Sequence, residues 1–88
     1  MNFTNDELTR RMIHDQENGW PYCPRCGKML KIDPLTERAS FSNALSREVS
    51  DLYVCDACGM DEAYRAFEGR PLPLEQWQHT RLIHIMYK

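Results

Sequence analysis

The 88-residue chain has only four glycines and four cysteines, and it lacks a basic excess, a long apolar run and any tract of low complexity. Each absence removes a class of function. Eleven Lys and Arg stand against thirteen Asp and Glu, a formal net charge of −2, so the strongly basic footprint usual in nucleic-acid-binding domains is missing. No stretch is apolar for long enough to span a bilayer, and no lipidation signal appears. Met1 to Asn18 is polar and charged, without the apolar segment of a secretory leader, which predicts a cytoplasmic location. There is no Gly-rich phosphate loop, nucleophile elbow or paired-carboxylate pattern. A chain this short buries too little apolar surface to be comfortably stable by packing alone, so one small domain held by a staple is expected.

The scarce cysteines supply the staple. All four lie in two knuckles, Cys23-Pro24-Arg25-Cys26-Gly27 and Cys55-Asp56-Ala57-Cys58-Gly59. Each C-x-x-C turn places two sulfurs on one side of a bend, and two facing turns give the tetrahedral four-thiolate shell that suits Zn²⁺. The glycine after each second cysteine fits a knuckle that needs positive φ and amides aimed back at sulfur. Two disulfides would call for an oxidising compartment, which the polar N-terminus does not suggest. A dithiol redox centre needs one such motif, not two. Iron in a rubredoxin-like shell of four thiolates stays open beside zinc. A four-cysteine shell is closed, which argues against metal catalysis, and Zn²⁺ with four thiolates would bring the net charge to −4.

Thr4 as N-cap, Glu7 three residues on, and Phe3 with Leu8 form a capping box and hydrophobic staple, predicting an N-terminal helix within residues 1–19. Its stripe of Leu8, Met12 and Ile13 reads as a clamp over the ribbon or a docking arm, and His14 as a surface or core histidine. Residues 20–59 form the ribbon: a strand over Lys28–Ile32, a 28-residue separation between Cys26 and Cys55 carrying a long loop, and a returning strand at Leu52–Val54. Met60–Glu68 is a second helix with Gly69 as its stop, turning Met60, Ala63, Tyr64 and Phe67 to the ribbon. After Pro71 and Pro73, a third helix near Leu74 presents Trp77, Arg81, His84 and Ile85 on one side. Leu82 to Tyr87 also suits an edge strand. The fold expected is therefore a small α+β zinc ribbon, a β-hairpin with a four-cysteine site, flanked by an N-terminal helix and one or two C-terminal helices in residues 60–88.

Asn43-Ala44-Leu45-Ser46-Arg47, followed by Tyr53-Val54-Cys55-Asp56-Ala57-Cys58-Gly59-Met60-Asp61-Glu62-Ala63, resembles small zinc-ribbon proteins of bacteriophages and mobile elements. Those proteins carry a CPxCG knuckle, an ALSR segment and a CxxCGxxEA knuckle that opens a helix. The resemblance spans residues 22–69 and implies a fold and a genomic setting more than a reaction.

The function expected is a non-catalytic interaction module binding a protein partner of host or viral machinery, with Zn²⁺ on Cys23, Cys26, Cys55 and Cys58. Arg25, Lys28, Arg47 and Trp77 are the candidate partner contacts. Arg25, Lys28 and Lys31 read as solvated charges offsetting the thiolate centre, with a small phosphate-contacting patch as the alternative. Arg47 reads as a lock on Asp61 and Glu62 or as the tip of a recognition loop. The alternative is a nucleic-acid-binding ribbon using Arg25, Lys28, Lys31, Arg38 and Arg47 with Tyr53 or Trp20 as a stacking group.

Overall fold

Thr4 and Glu7 start the first helix, α1 (Asn5–Glu17), as their spacing predicts. The Thr4 amide donates to Glu7 Oε1 at 3.2 Å, and the Glu7 amide donates to Thr4 Oγ1 at 3.2 Å. Donation to its carboxylate by the Thr4 amide, and by the Thr4 hydroxyl at 3.0 Å, holds the Glu7 carboxyl below its ordinary range. In the computed structural model, which describes residues 3–86, two further helices and a two-stranded antiparallel ladder follow. The result is a small α+β fold.

Leu8 and Met12 of α1 are buried beside Val49, Leu52, Trp77 and Ile83, with Phe3 and Ile13 packed at the rim. The helix is thus a clamp, and His14 lies on its exposed side. Gln16, one turn past Met12, adds a function the sequence did not announce. Its Nε2 donates to the Tyr53 carbonyl at 2.9 Å, and its Oε1 accepts from the Tyr53 amide at 2.7 Å. A side-chain amide here replaces a neighbouring strand and covers a sheet edge.

The ladder pairs β1 (Ala44–Leu45) with β2 (Tyr53–Val54), Ala44 opposite Val54 and Leu45 opposite Tyr53. The strand expected at Lys28–Ile32 does not form a ladder; that stretch carries isolated bridges, Tyr22 to Met29 and Ile32 to Ala39. The reason is local. The Cys23 amide donates to the Lys28 carbonyl to close the knuckle, and the Asp33 amide donates to the Arg38 carbonyl to close a turn just beyond. Asn43 takes the backbone between: its Oδ1 accepts from the Lys31 amide at 3.0 Å, and its Nδ2 donates to the Lys31 carbonyl at 2.8 Å.

The second helix, α2, runs Asp56–Glu68, so the second knuckle is its first turn and not a loop before it. Cys55 is the N-cap and its sulfur accepts from the Cys58 amide at 3.4 Å. Gly69 ends the helix at φ 71°, as read from the sequence. Gly27 has the positive φ expected of it, 85°. Gly59 does not; it is helical and is needed for space. A Cβ there would lie 2.6 Å from the Ala44 Cβ. Gly to Ala in a helix interior normally stabilises by about 0.5–1 kcal/mol. Gly59→Ala should instead destabilise by about 1–3 kcal/mol through overpacking, read by urea denaturation of the purified protein. A more stable variant would contradict the packing of β1 on α2.

The apolar side of α2 is also not where its pattern suggests. Met60, Tyr64 and Phe67 are exposed, while Cys58 and Glu62 are buried. A 3₁₀ turn (Leu74–Gln76) leads into α3 (Gln78–Met86), which settles the ambiguity of the tail as helix; Tyr87 lies outside the described residues. Trp77, between them, is fully buried, and its Nε1 donates to the Leu72 carbonyl at 3.3 Å. The helix docks on the first knuckle: the amides of Gln78 and His79 donate to the carbonyls of Arg25 and Pro24. His79 Nε2 lies 2.7 Å from Asp15 Oδ2, tying α3 to α1, and its ring meets Trp20 edge-on.

Candidate metal centre

The two knuckles reach one point from different local structures. A turn closed by the Gly27 amide on the Cys23 carbonyl, at 2.8 Å, presents Cys23 and Cys26. The N-terminal turn of α2 presents Cys55 and Cys58. All four sulfurs lie within 4.8 Å of one another, with Cys26 and Cys55 Sγ at 3.6 Å. A tetrahedral shell with metal–sulfur bonds of about 2.3 Å has sulfur–sulfur edges of about 3.8 Å. The cluster fits that shell, and the four cysteines are free thiols gathered around one centre, not two bonded pairs. Together with Leu30 and Val54, Cys23 and Cys58 make a second small core, separate from the helical one.

The surroundings of the sulfurs suit a bound cation. The Cys55 amide donates to Cys23 Sγ at 3.3 Å, beside the Cys58 amide on Cys55. Burial pushes the thiols of Cys23 and Cys58 up, and a charge on Cys23 raises Cys58 further. Burial also raises Cys55, but the Cys58 amide and the neighbouring thiols outweigh it, leaving Cys55 below the ordinary thiol value. Four sulfurs so arranged ionise together when a cation balances them. The donor set therefore fits a resident metal ion, held by Cys23, Cys26, Cys55 and Cys58, which would cross-link the two halves of the chain.

The predicted partner residues divide. Lys28 and Arg47 are exposed. Arg25 and Trp77 are buried, so neither is presented to a partner, a correction to both assignments. Arg25 is an internal strut: Nη2 is 2.7 Å from Asp61 Oδ2, Nε is 3.9 Å from Glu62 Oε2, and the guanidinium lies 5.9 Å from the Trp77 ring centre. Desolvation works against the Arg25 charge, but the Asp61 bond overcomes it and raises the pKa; Arg25 and Arg65 in turn lower Asp61. The guanidinium that reaches the acidic pair therefore belongs to Arg25 and not to Arg47, whose backbone amide donates to Glu62 Oε1 at 3.0 Å. Lys31 pairs with Asp56 at 3.0 Å on the surface. With Arg25 inside and Lys31 paired, the five-cation set proposed for nucleic acid retains Lys28, Arg38 and Arg47 as exposed members.

Glu62, read from the sequence as one of two acidic targets for the Arg47 side chain, is instead a buried acceptor. Its carboxylate accepts from Ser46 Oγ at 2.7 Å and from the Arg47 amide, with its side chain fully buried. Ser46 Oγ also accepts from the amides of Glu48 and Val49. The co-occurrence of an Asn-Ala-x-Ser-Arg segment with a Cys-Gly-x-x-Glu knuckle was the available signal. Asn43 fixes the first knuckle's exit, Ala44 meets Gly59, and Ser46 with the Arg47 amide binds Glu62. No family model, curated protein or solved structure matches this chain. No helix among the described residues is long and apolar enough to cross a membrane.

Proposed function

We propose that this chain is a non-catalytic zinc-ribbon module that binds a protein partner. The observation that carries the reading is the closed set of four sulfurs around one centre, which leaves recognition to the surface. Zn²⁺ is the ion of choice because a four-thiolate structural shell is a common zinc arrangement. Its contribution is charge neutralisation and cross-linking, with no step of chemistry assigned to it. The Asp15–His79 pair, the nearest thing to an acid–base couple, is enclosed and joins α1 to α3.

The insert between the knuckles offers the contact surface. A groove of about 350 Å³ runs between the end of α1 and the insert, lined by Glu17, Asp33, Arg38, Phe41, Asp51 and Tyr53 among others. Phe41 is 84 % exposed at its side. Three carboxylates against one guanidinium, beside two aromatic rings, suit a partner segment with an apolar residue next to Lys or Arg. The resemblance to ribbons of phages and mobile elements points to host or viral machinery as the source of that partner.

Affinity capture from several bacterial hosts tests the reading. Wild type should retain a discrete protein that Phe41→Ser loses while its zinc content is unchanged. Capture of nothing specific in any host would count against it. Salt-dependent binding of oligonucleotides at low ionic strength would favour the nucleic-acid reading instead.

A further inference from the structure

The apolar side of α2 has no covering element among the described residues. Met60, Ala63, Tyr64 and Phe67 recur at helical spacing, and Met60, Tyr64 and Phe67 are 63, 66 and 93 % exposed. A stripe of this spacing ordinarily faces other apolar surface. The helix opens on Asp56 and ends at the exposed Glu68, and Arg70 follows just past the Gly69 cap. Asp56 lies one turn before Met60, Arg70 lies three residues after Phe67, and both are exposed.

That pattern is complementary to itself when reversed. Two copies of α2 laid antiparallel about an axis near Ala63 set Met60 of each against Phe67 of the other, a thioether on an aromatic ring. The same alignment sets Asp56 of each against Arg70 of the other and opposes the two helix dipoles. A parallel alignment would instead stack Asp56 on Asp56 and Arg70 on Arg70. Ala63 at the centre lets the backbones approach. The surface pair of Lys31 with Asp56 leaves the Asp56 side chain 66 % exposed, so its carboxylate remains open to a second cation.

We infer that a second copy of this chain covers the face, as a two-fold antiparallel dimer through α2. The inference rests on the interaction reading in treating exposed apolar groups as contact surface, and it names one occupant for a face distinct from the Phe41 groove. The area sets the strength. From the exposures of Met60, Tyr64 and Phe67, the stripe offers on the order of 400 Å² per copy, against about 800 Å² for a standard interface. A patch of that size supports a weak, transient dimer and not a tight one.

Sedimentation equilibrium of the zinc-loaded full chain from about 5 to about 500 μM reads this directly. Wild type should pass from monomer to dimer mass within that range. Phe67→Ser, at a fully solvent-facing position, should weaken the dimer by roughly tenfold or more, and Arg70→Asp by several-fold. Both variants should keep wild-type zinc content and circular dichroism, which separates lost association from lost folding. A monomer at every concentration overturns the pairing, as does a dimer indifferent to both substitutions. Loss of a captured host protein by Phe41→Ser, with dimerisation intact, tests the groove separately.

Discussion

Cys23→Ser should fail to retain zinc and should lose the ribbon with it. Cys23 is buried in the small core of Leu30, Val54 and Cys58, so the knuckles have little packing of their own to fall back on. Structural zinc contributes on the order of 10–16 kcal/mol of apparent binding energy near neutral pH, while a whole domain is stable by about 5–15 kcal/mol. The helical core of Leu8, Met12, Trp77 and Ile83 is a separate cluster, yet α3 is anchored to the first knuckle through the Pro24 and Arg25 carbonyls. Loss of the knuckle therefore loosens the helices as well. Heteronuclear NMR spectra of the variant should collapse toward unfolded shifts. Cys26→Ser is the sharper comparison, because Cys26 is exposed and is the ligand whose loss disturbs packing least. If it too abolishes zinc binding, both sulfurs of the first knuckle are structural ligands. Full retention of zinc by Cys26→Ser would reveal an open coordination position and would reopen catalysis.

Glu62→Ala should destabilise the zinc-loaded protein by about 3–5 kcal/mol, the range for breaking a buried charge network. The substitution strands the Ser46 hydroxyl and the Arg47 amide, and removes the carboxylate that lies 3.9 Å from the buried Arg25 Nε. For a domain of this size the melting temperature should fall by more than about 10 °C. Glu62→Gln keeps the shape and one acceptor, so it should cost less than Glu62→Ala. A change below about 1 kcal/mol for Glu62→Ala would show that the ALSR segment is held by packing alone. Zinc content should stay at one ion per chain in both variants under native conditions, since Glu62 donates nothing to the sulfurs.

The features that sequence made legible are those whose physics is local. Thr4 and Glu7 make a capping box because both partners lie within one turn, and two C-x-x-C knuckles announce a shared centre through their own spacing. The orientation of α2 was illegible for the opposite reason. Met60, Ala63, Tyr64 and Phe67 form a well-spaced apolar stripe, and a carboxylate such as Glu62 is ordinarily assigned to solvent. What reverses the helix is Glu62's capture by Ser46 and Arg47, sixteen and fifteen residues away, together with Cys58 facing the metal centre. Arg25 was misplaced likewise: within its knuckle it reads as a surface cation, and its partner Asp61 lies thirty-six residues on. The two-residue strands β1 and β2 are shorter than any alternation that could reveal their pairing. Gln16, a polar residue on the inner side of α1, gives no sign from its neighbours that it caps a strand edge.

Elemental analysis of the purified chain, combined with thiol alkylation, tests the central claim most directly. One zinc ion per chain, with Cys23, Cys26, Cys55 and Cys58 protected from alkylation until a chelator is added and the fold is lost, is the predicted result. A protein that carries neither zinc nor iron, keeps its thiols reduced and still gives the spectrum of a folded chain would contradict it.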